Sequence, residues 1–167
     1  SGQAMCTTTT GHTVLFGGYL QDIGRDGETW ELAGSTWTLR EPTSPWGRYG
    51  TAMVYDPIRR VTTMFGGGID ETWNWNGSDW QRQLVTGPTQ RLYQSMVFDG
   101  AHGNSLLFGG SDSSGIETTY CSDTWVWDGN QWSQREVTGP SARHRAAMVY
   151  DAARQKVVLF GGASPHA

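Results

Sequence analysis

One short motif constrains this chain more than anything else in it: Phe-Gly-Gly occurs at Phe16, Phe65, Phe108 and Phe160, at intervals of 49, 43 and 52 residues. A second marker keeps step with it. Ala4-Met5-Cys6, Ala52-Met53-Val54, Ser95-Met96-Val97 and Ala147-Met148-Val149 place their methionines 48, 43 and 52 residues apart. A third is a pair of tryptophans seven residues apart: Trp30 and Trp37, Trp73 and Trp80, Trp125 and Trp132. A fourth is Pro-x-x-Arg, at Pro45 to Arg48, Pro88 to Arg91 and Pro140 to Arg143. Self-similarity at such a period marks a chain built from stacked supersecondary units. The units run approximately over residues 3–47, 48–90 and 91–142, with a half unit over 143–163.

Each full unit predicts four strands. The first carries Met-Val-Tyr-Asp or its equivalent, and the second ends at Phe-Gly-Gly. The third is Thr-Trp-x-x, and the fourth begins at the second tryptophan. Trp73 and Trp75, like Trp125 and Trp127, lie two apart and so share one face of a strand. Ala33-Gly34, Asn76-Gly77 and Asp128-Gly129 mark the hairpin between strands three and four. Asp56-Pro57, Asp99-Gly100 and Asp151-Ala152 turn the chain between strands one and two. The fold class expected is therefore all-β, made of four-stranded antiparallel sheets.

A four-stranded unit of this length, repeated, is the signature of a propeller blade. The glycine doublet, the strand-three aromatic, the later tryptophan and the arginine opening strand one resemble the kelch-repeat family. The resemblance covers essentially the whole chain and implies blades arranged about a central channel. It does not imply one activity, because fold does not fix function. Some proteins that this chain resembles are enzymes. The Tyr-Cys and histidine set of copper-radical sugar oxidases is not matched, since Tyr120 and Cys121 are adjacent and no histidine pair accompanies them. The iron-binding Glu-x-x-x-Asp-x-x-x-His of plant specifier proteins fails at Cys121, four residues after Glu117. A sugar mutarotase of kelch type stays open as an alternative function.

Composition narrows the partners. The chain has 167 residues, a net charge of -4 and one lysine, Lys156, so a nucleic-acid surface is not expected. No apolar run reaches the roughly 20 residues that span a bilayer. The first residues, SGQAMCTTTT, carry no signal-peptide pattern, and the compartment stays open. Cys6 and Cys121 make no disulfide framework, and Cys6 takes a position held elsewhere by valine. His12 and His102 fall in short turns and His166 in the tail, with no metal-ligand spacing, so no metal or cofactor is expected.

Working residues are expected on the face that carries the two-to-three and four-to-one connections, whose lengths vary most. That face gathers Trp46, Arg48, Tyr49, Arg91, Tyr93, Arg143, His144 and Arg145 from the segments leading into strand one. Asp22, Arg25, Asp26, Asp112, Glu117 and Tyr120 join them from the connections after strand two. Aromatic and arginine side chains are the types that anchor interfaces. For the Pro-x-x-Arg arginines a structural role, bonding carbonyls where blades meet, is the leading expectation, and the rim role is the alternative. The function expected is a non-catalytic module that recognises a protein or a glycan on this rim. Its open flanks are expected to be covered by self-association as a homodimer, by the remainder of a larger propeller, or by closure as a small four-bladed monomer with an incomplete last blade.

Overall fold

The computed structural model describes residues 1–43, 45–112 and 114–164, so His166 lies outside the described residues. Among these residues every regular element is a strand. The first sheet contains β1 (Ala4–Thr7), β2 (Thr13–Leu20), β3 (Gly24–Ala33) and β4 (Thr36–Arg40), in that order. The second contains β5 (Thr51–Asp56), β6 (Val61–Gly66), β7 (Thr72–Trp75) and β8 (Trp80–Gln83). The third contains β9 (Ser95–Asp99), β10 (Asn104–Phe108), β13 (Thr124–Trp127) and β14 (Trp132–Arg135). A small hairpin, β11 (Ser111–Asp112) with β12 (Thr119–Tyr120), rises between β10 and β13. The fourth sheet is the pair β15 (His144–Asp151) and β16 (Lys156–Ala163).

All pairings are antiparallel, and the registers repeat between sheets. Met5 faces Leu15, Met53 faces Met64, Met96 faces Leu107, and Met148 faces Leu159. The first strands of successive sheets lie side by side: β1 against β5, β5 against β9, β9 against β15. A series of peptide hydrogen bonds joins them, Gly50 N–H to Gly2 C=O, Tyr93 N–H to Gly50 C=O, and Arg145 N–H to Tyr93 C=O, at 2.7, 2.7 and 2.8 Å.

The core sits between the sheets rather than within them. Phe16 meets Trp80 edge-on at 5.4 Å, and Phe65 meets Trp132 in the same way at 5.4 Å. Each tryptophan also donates its indole N–H backwards, Trp80 to the Thr29 hydroxyl at 3.0 Å and Trp132 to Thr72 at 2.8 Å. The second tryptophan of a unit is thus a wedge against the preceding sheet, satisfied at both its apolar face and its polar edge. Arg59 adds a staple on the turn side, reaching from the Asp56 carboxylate to the carbonyls of Gly103 and Asp128.

The glycine doublet and the Pro-x-x-Arg segment keep step in sequence because they touch. Gly18, Gly67 and Gly110 donate their N–H groups to the carbonyls of Arg48, Arg91 and Arg143 at 2.9, 3.1 and 2.9 Å. Gly17 has φ of 65°, and a Cβ there would run into the Arg48 carbonyl. Only glycine admits the next unit this closely.

Two expectations need correction. The segment after Gly18 is not a long loop. β2 continues to Leu20 and β3 starts at Gly24, across a register shift between Phe16 and Gly18, so the sheet itself projects onto the rim. The long insertion after Gly110 likewise folds back on itself as β11 and β12.

An aromatic arc on the rim as the candidate functional site

The rim arginines divide into two kinds. Arg48 and Arg91 are buried, as the structural expectation has it, and so do not offer themselves to a ligand as rim residues. Arg48 donates to the Trp46 and Gly66 carbonyls and to the Glu71 carboxylate at 3.1, 3.4 and 3.0 Å. Arg91 donates to the Thr89 and Gly109 carbonyls and forms a two-pronged pair with Asp123 at 2.6 and 3.0 Å. The same acids accept the indole N–H of Trp73 and Trp125. Each guanidinium therefore rivets the end of strand two to the start of strand three in its own sheet.

The electrostatics follow from that geometry. Burial alone would raise the Glu71 carboxyl, but the bonds from Trp73 and Arg48 outweigh it and hold the group below its ordinary value. Asp123 is lowered in the same way, with burial opposed by the bonds from Arg91 and Trp125. Burial pushes the Cys6 thiol up to about 11, moderated by its contact with Thr62, so it is an inert core group. Cys121 is raised too, burial again being the main cause.

Arg143 makes the same backbone bonds as its two counterparts, to the Ser141 and Gly161 carbonyls, both at 3.0 Å. Among the described residues it has no carboxylate partner. Trp46 is 85% exposed, and only its carbonyl is engaged. Asp22 and Glu117 stand in solvent at the two projecting hairpins, and Asp26 uses its carboxylate to cap the Glu28 N–H.

The remaining candidates converge. Tyr49 stacks edge-on with Tyr19 at 5.6 Å and leans on Tyr93 at 6.2 Å. Tyr93 reaches His144 at 6.3 Å, and His144 reaches Tyr120 at 5.2 Å. Five aromatic rings from four units thus form one continuous arc. Arg25 lies over Tyr49 with its guanidinium carbon 5.7 Å from the ring centre, and Arg145 lies over Tyr93 at 4.3 Å. Beside the arc is an open cleft of about 370 Å³, bordered by Arg25, Tyr49, Gln90, Leu92 and Asp112. Hydrogen bonds from the Ser114 backbone hold Asp112 ionised below its ordinary range, helped by the Gln90 amide.

Sequence reasoning missed Tyr19, whose only signal is its place directly after a glycine doublet. It also missed Glu71 and Asp123, although the repeated acid-Thr-Trp triplets at Glu28, Glu71 and Asp123 stood in plain view. His12 and His102 sit at the opposite end of the sheets, paired with Glu31 at 2.8 Å and Asp99 at 2.7 Å. Among the described residues no three His, Cys, Asp or Glu side chains are grouped as metal ligands would be.

Sheets of this kind, docked in series through their first strands and wedged by tryptophan, define a β-propeller-type protein with an aromatic rim. The solved structure of YjhT is similar in fold. It superposes with a TM-score of 0.75 over 99% of this chain, at 13% sequence identity. The chain spans 62% of the length of YjhT. No family model matches the sequence, and no curated protein matches it.

Proposed function

We propose that the chain is a kelch-type propeller module that binds a protein or a glycan on the aromatic arc. The observation that carries this is the unbroken run of rings from Tyr19 through Tyr49, Tyr93 and His144 to Tyr120. Rings ordered by one another lose little freedom when a ligand lies on them, which favours affinity per contact. The four co-periodic markers support the kelch resemblance.

The test is a direct binding screen of the whole chain against immobilised glycans and peptides, repeated with Tyr49→Ala. Tyr49 touches Tyr19, Tyr93 and Arg25, so its truncation breaks the arc at its middle. At least about a tenfold loss of affinity is expected, as for an anchoring aromatic. Unchanged binding by the variant removes the arc from consideration.

Self-association belongs to the same reading. Phe160 is 81% exposed, whereas Phe16 and Phe65 are covered by the next unit's tryptophan. Trp37, on the opposite flank, is exposed as well. These two surfaces suit head-to-tail docking of two copies. Sedimentation at several concentrations decides it: a dimer near twice 18.4 kDa supports the docking, and a monomer at all concentrations rejects it.

A further inference from the structure

One backbone position recurs at the head of every first strand, and all four units hold it in the left-handed region. It is Gly2 at φ 75°, Gly50 at 65°, Tyr93 at 58° and Arg145 at 58°. The peptide series described above forces this shape, because each of these residues bonds to its equivalent in the neighbouring sheet. Glycine adopts it freely, and a residue with a Cβ adopts it only under steric strain. Two units keep the relaxed solution, and two hold a large side chain under strain.

The two strained side chains meet. Arg145 lays its guanidinium on the Tyr93 ring, and Tyr93 in turn touches Tyr49 and His144. The same exchange occurs at the turns between first and second strands, where Arg60 and Gln155 replace Gly11 and Gly103. There the side chains are exposed and stack on no ring among the described residues, as at ordinary turns. On the rim the strain assembles an array, which is the pattern of strain kept for recognition.

The chemistry of the array specifies its ligand. Arg145 and Arg25 each lie on a tyrosine, and neither has a carboxylate within ion-pairing distance among the described residues. A guanidinium held over a ring and bonded to no acid keeps N–H donors for a ligand, and its planar fork suits a carboxylate with two bonds. Resting on the rim assignment made above, we infer that Tyr93 and Arg145 are its specificity-determining residues and that they select an acidic protein segment. A protein fits better than a sugar because the arc is broad and open and is built of Tyr and Arg, the residue types enriched at protein interfaces.

The experiment uses the whole chain and two readouts. Twelve-residue peptides rich in Asp and Glu, neutral, or rich in Lys are titrated by fluorescence, alongside a uronic-acid oligosaccharide. The acidic peptide should bind at least about tenfold tighter than the neutral one, and Arg145→Gly should abolish the difference. Arg145→Lys should restore the preference only in part. The melting midpoints of Tyr93→Gly and Arg145→Gly should rise by about 2 °C as the backbone relaxes. Arg60→Gly should rise similarly and leave binding untouched. A fall in the midpoint of Arg145→Gly would show the stack to be a structural clasp and overturn the inference. So would equal binding of all peptides, or binding of the uronate alone. If a neutral peptide binds in a manner that needs Tyr49 but not Arg145, the rim stands and the specificity fails. If no probe binds, both fall.

Discussion

Arg91 and Arg143 open the same motif, make the same bonds to a serine or threonine two residues back, and reach the same glycine carbonyl. Arg91 then closes on the half-buried Asp123, while Arg143 stays partly open with no acid beside it among the described residues. Phe65 and Phe160 differ in the same way, one sealed under Trp132 and the other in solvent. The second and third sheets therefore share a sequence pattern with the fourth but not an energetic one. A repeated residue is stabilising only where the surrounding strands complete its contacts.

The widest gap is expected at the arginines. Arg91→Ala removes a buried guanidinium and leaves the half-buried Asp123 carboxylate without it, which should cost about 3 kcal/mol in urea unfolding, against about 0.5 kcal/mol or less for Arg143→Ala. Equal losses would break the comparison outright. The phenylalanines should repeat it: Phe65→Ala costs about 3–5 kcal/mol, and Phe160→Ala is close to neutral. The threonines sharpen it further. Thr72→Val removes the acceptor of the buried Trp132 N–H and should cost about 1–3 kcal/mol. Thr124→Val, at the matching place in the third sheet, should cost less, because no following tryptophan donates to it among the described residues.

The gentlest test is pH. The carboxyls of Glu71 and Asp123 are held below their ordinary values of 4.5 and 3.8. Their pairs therefore contribute full stability above those values, and the contribution is lost as pH falls through the lowered ones. A melting midpoint that is level above about pH 5 and drops below pH 4 is expected. Asp123→Asn should start lower and show a shallower drop.

Most of the strand plan was legible because the markers are tied to backbone geometry. Phe-Gly-Gly ends or crosses strand two, Thr-Trp opens strand three in the second and third sheets, and Trp80 and Trp132 begin strand four where the seven-residue offset puts them. The rim was half legible. Tyr49, Tyr93, His144, Arg145, Arg25 and Tyr120 do come together, since their place near a connection follows from topology. Arg48 and Arg91 follow the structural expectation, bonding carbonyls, and leave the rim role unfilled; their acid partners, Glu71 and Asp123, lie elsewhere in the chain and are not displayed by the Pro-x-x-Arg motif. The projecting hairpins were hidden for a related reason: β2 and β3 extend past their glycine doublet through a register shift that periodicity cannot register.

The bonds from Gly50 to Gly2, Tyr93 to Gly50 and Arg145 to Tyr93 run through the hub of this molecule from main chain to main chain. The residue just before each bonded position carries no such backbone demand, and neighbouring units present Tyr49, Leu92 and His144 at that one equivalent place. New recognition can then be written one spoke at a time while the wheel keeps its shape.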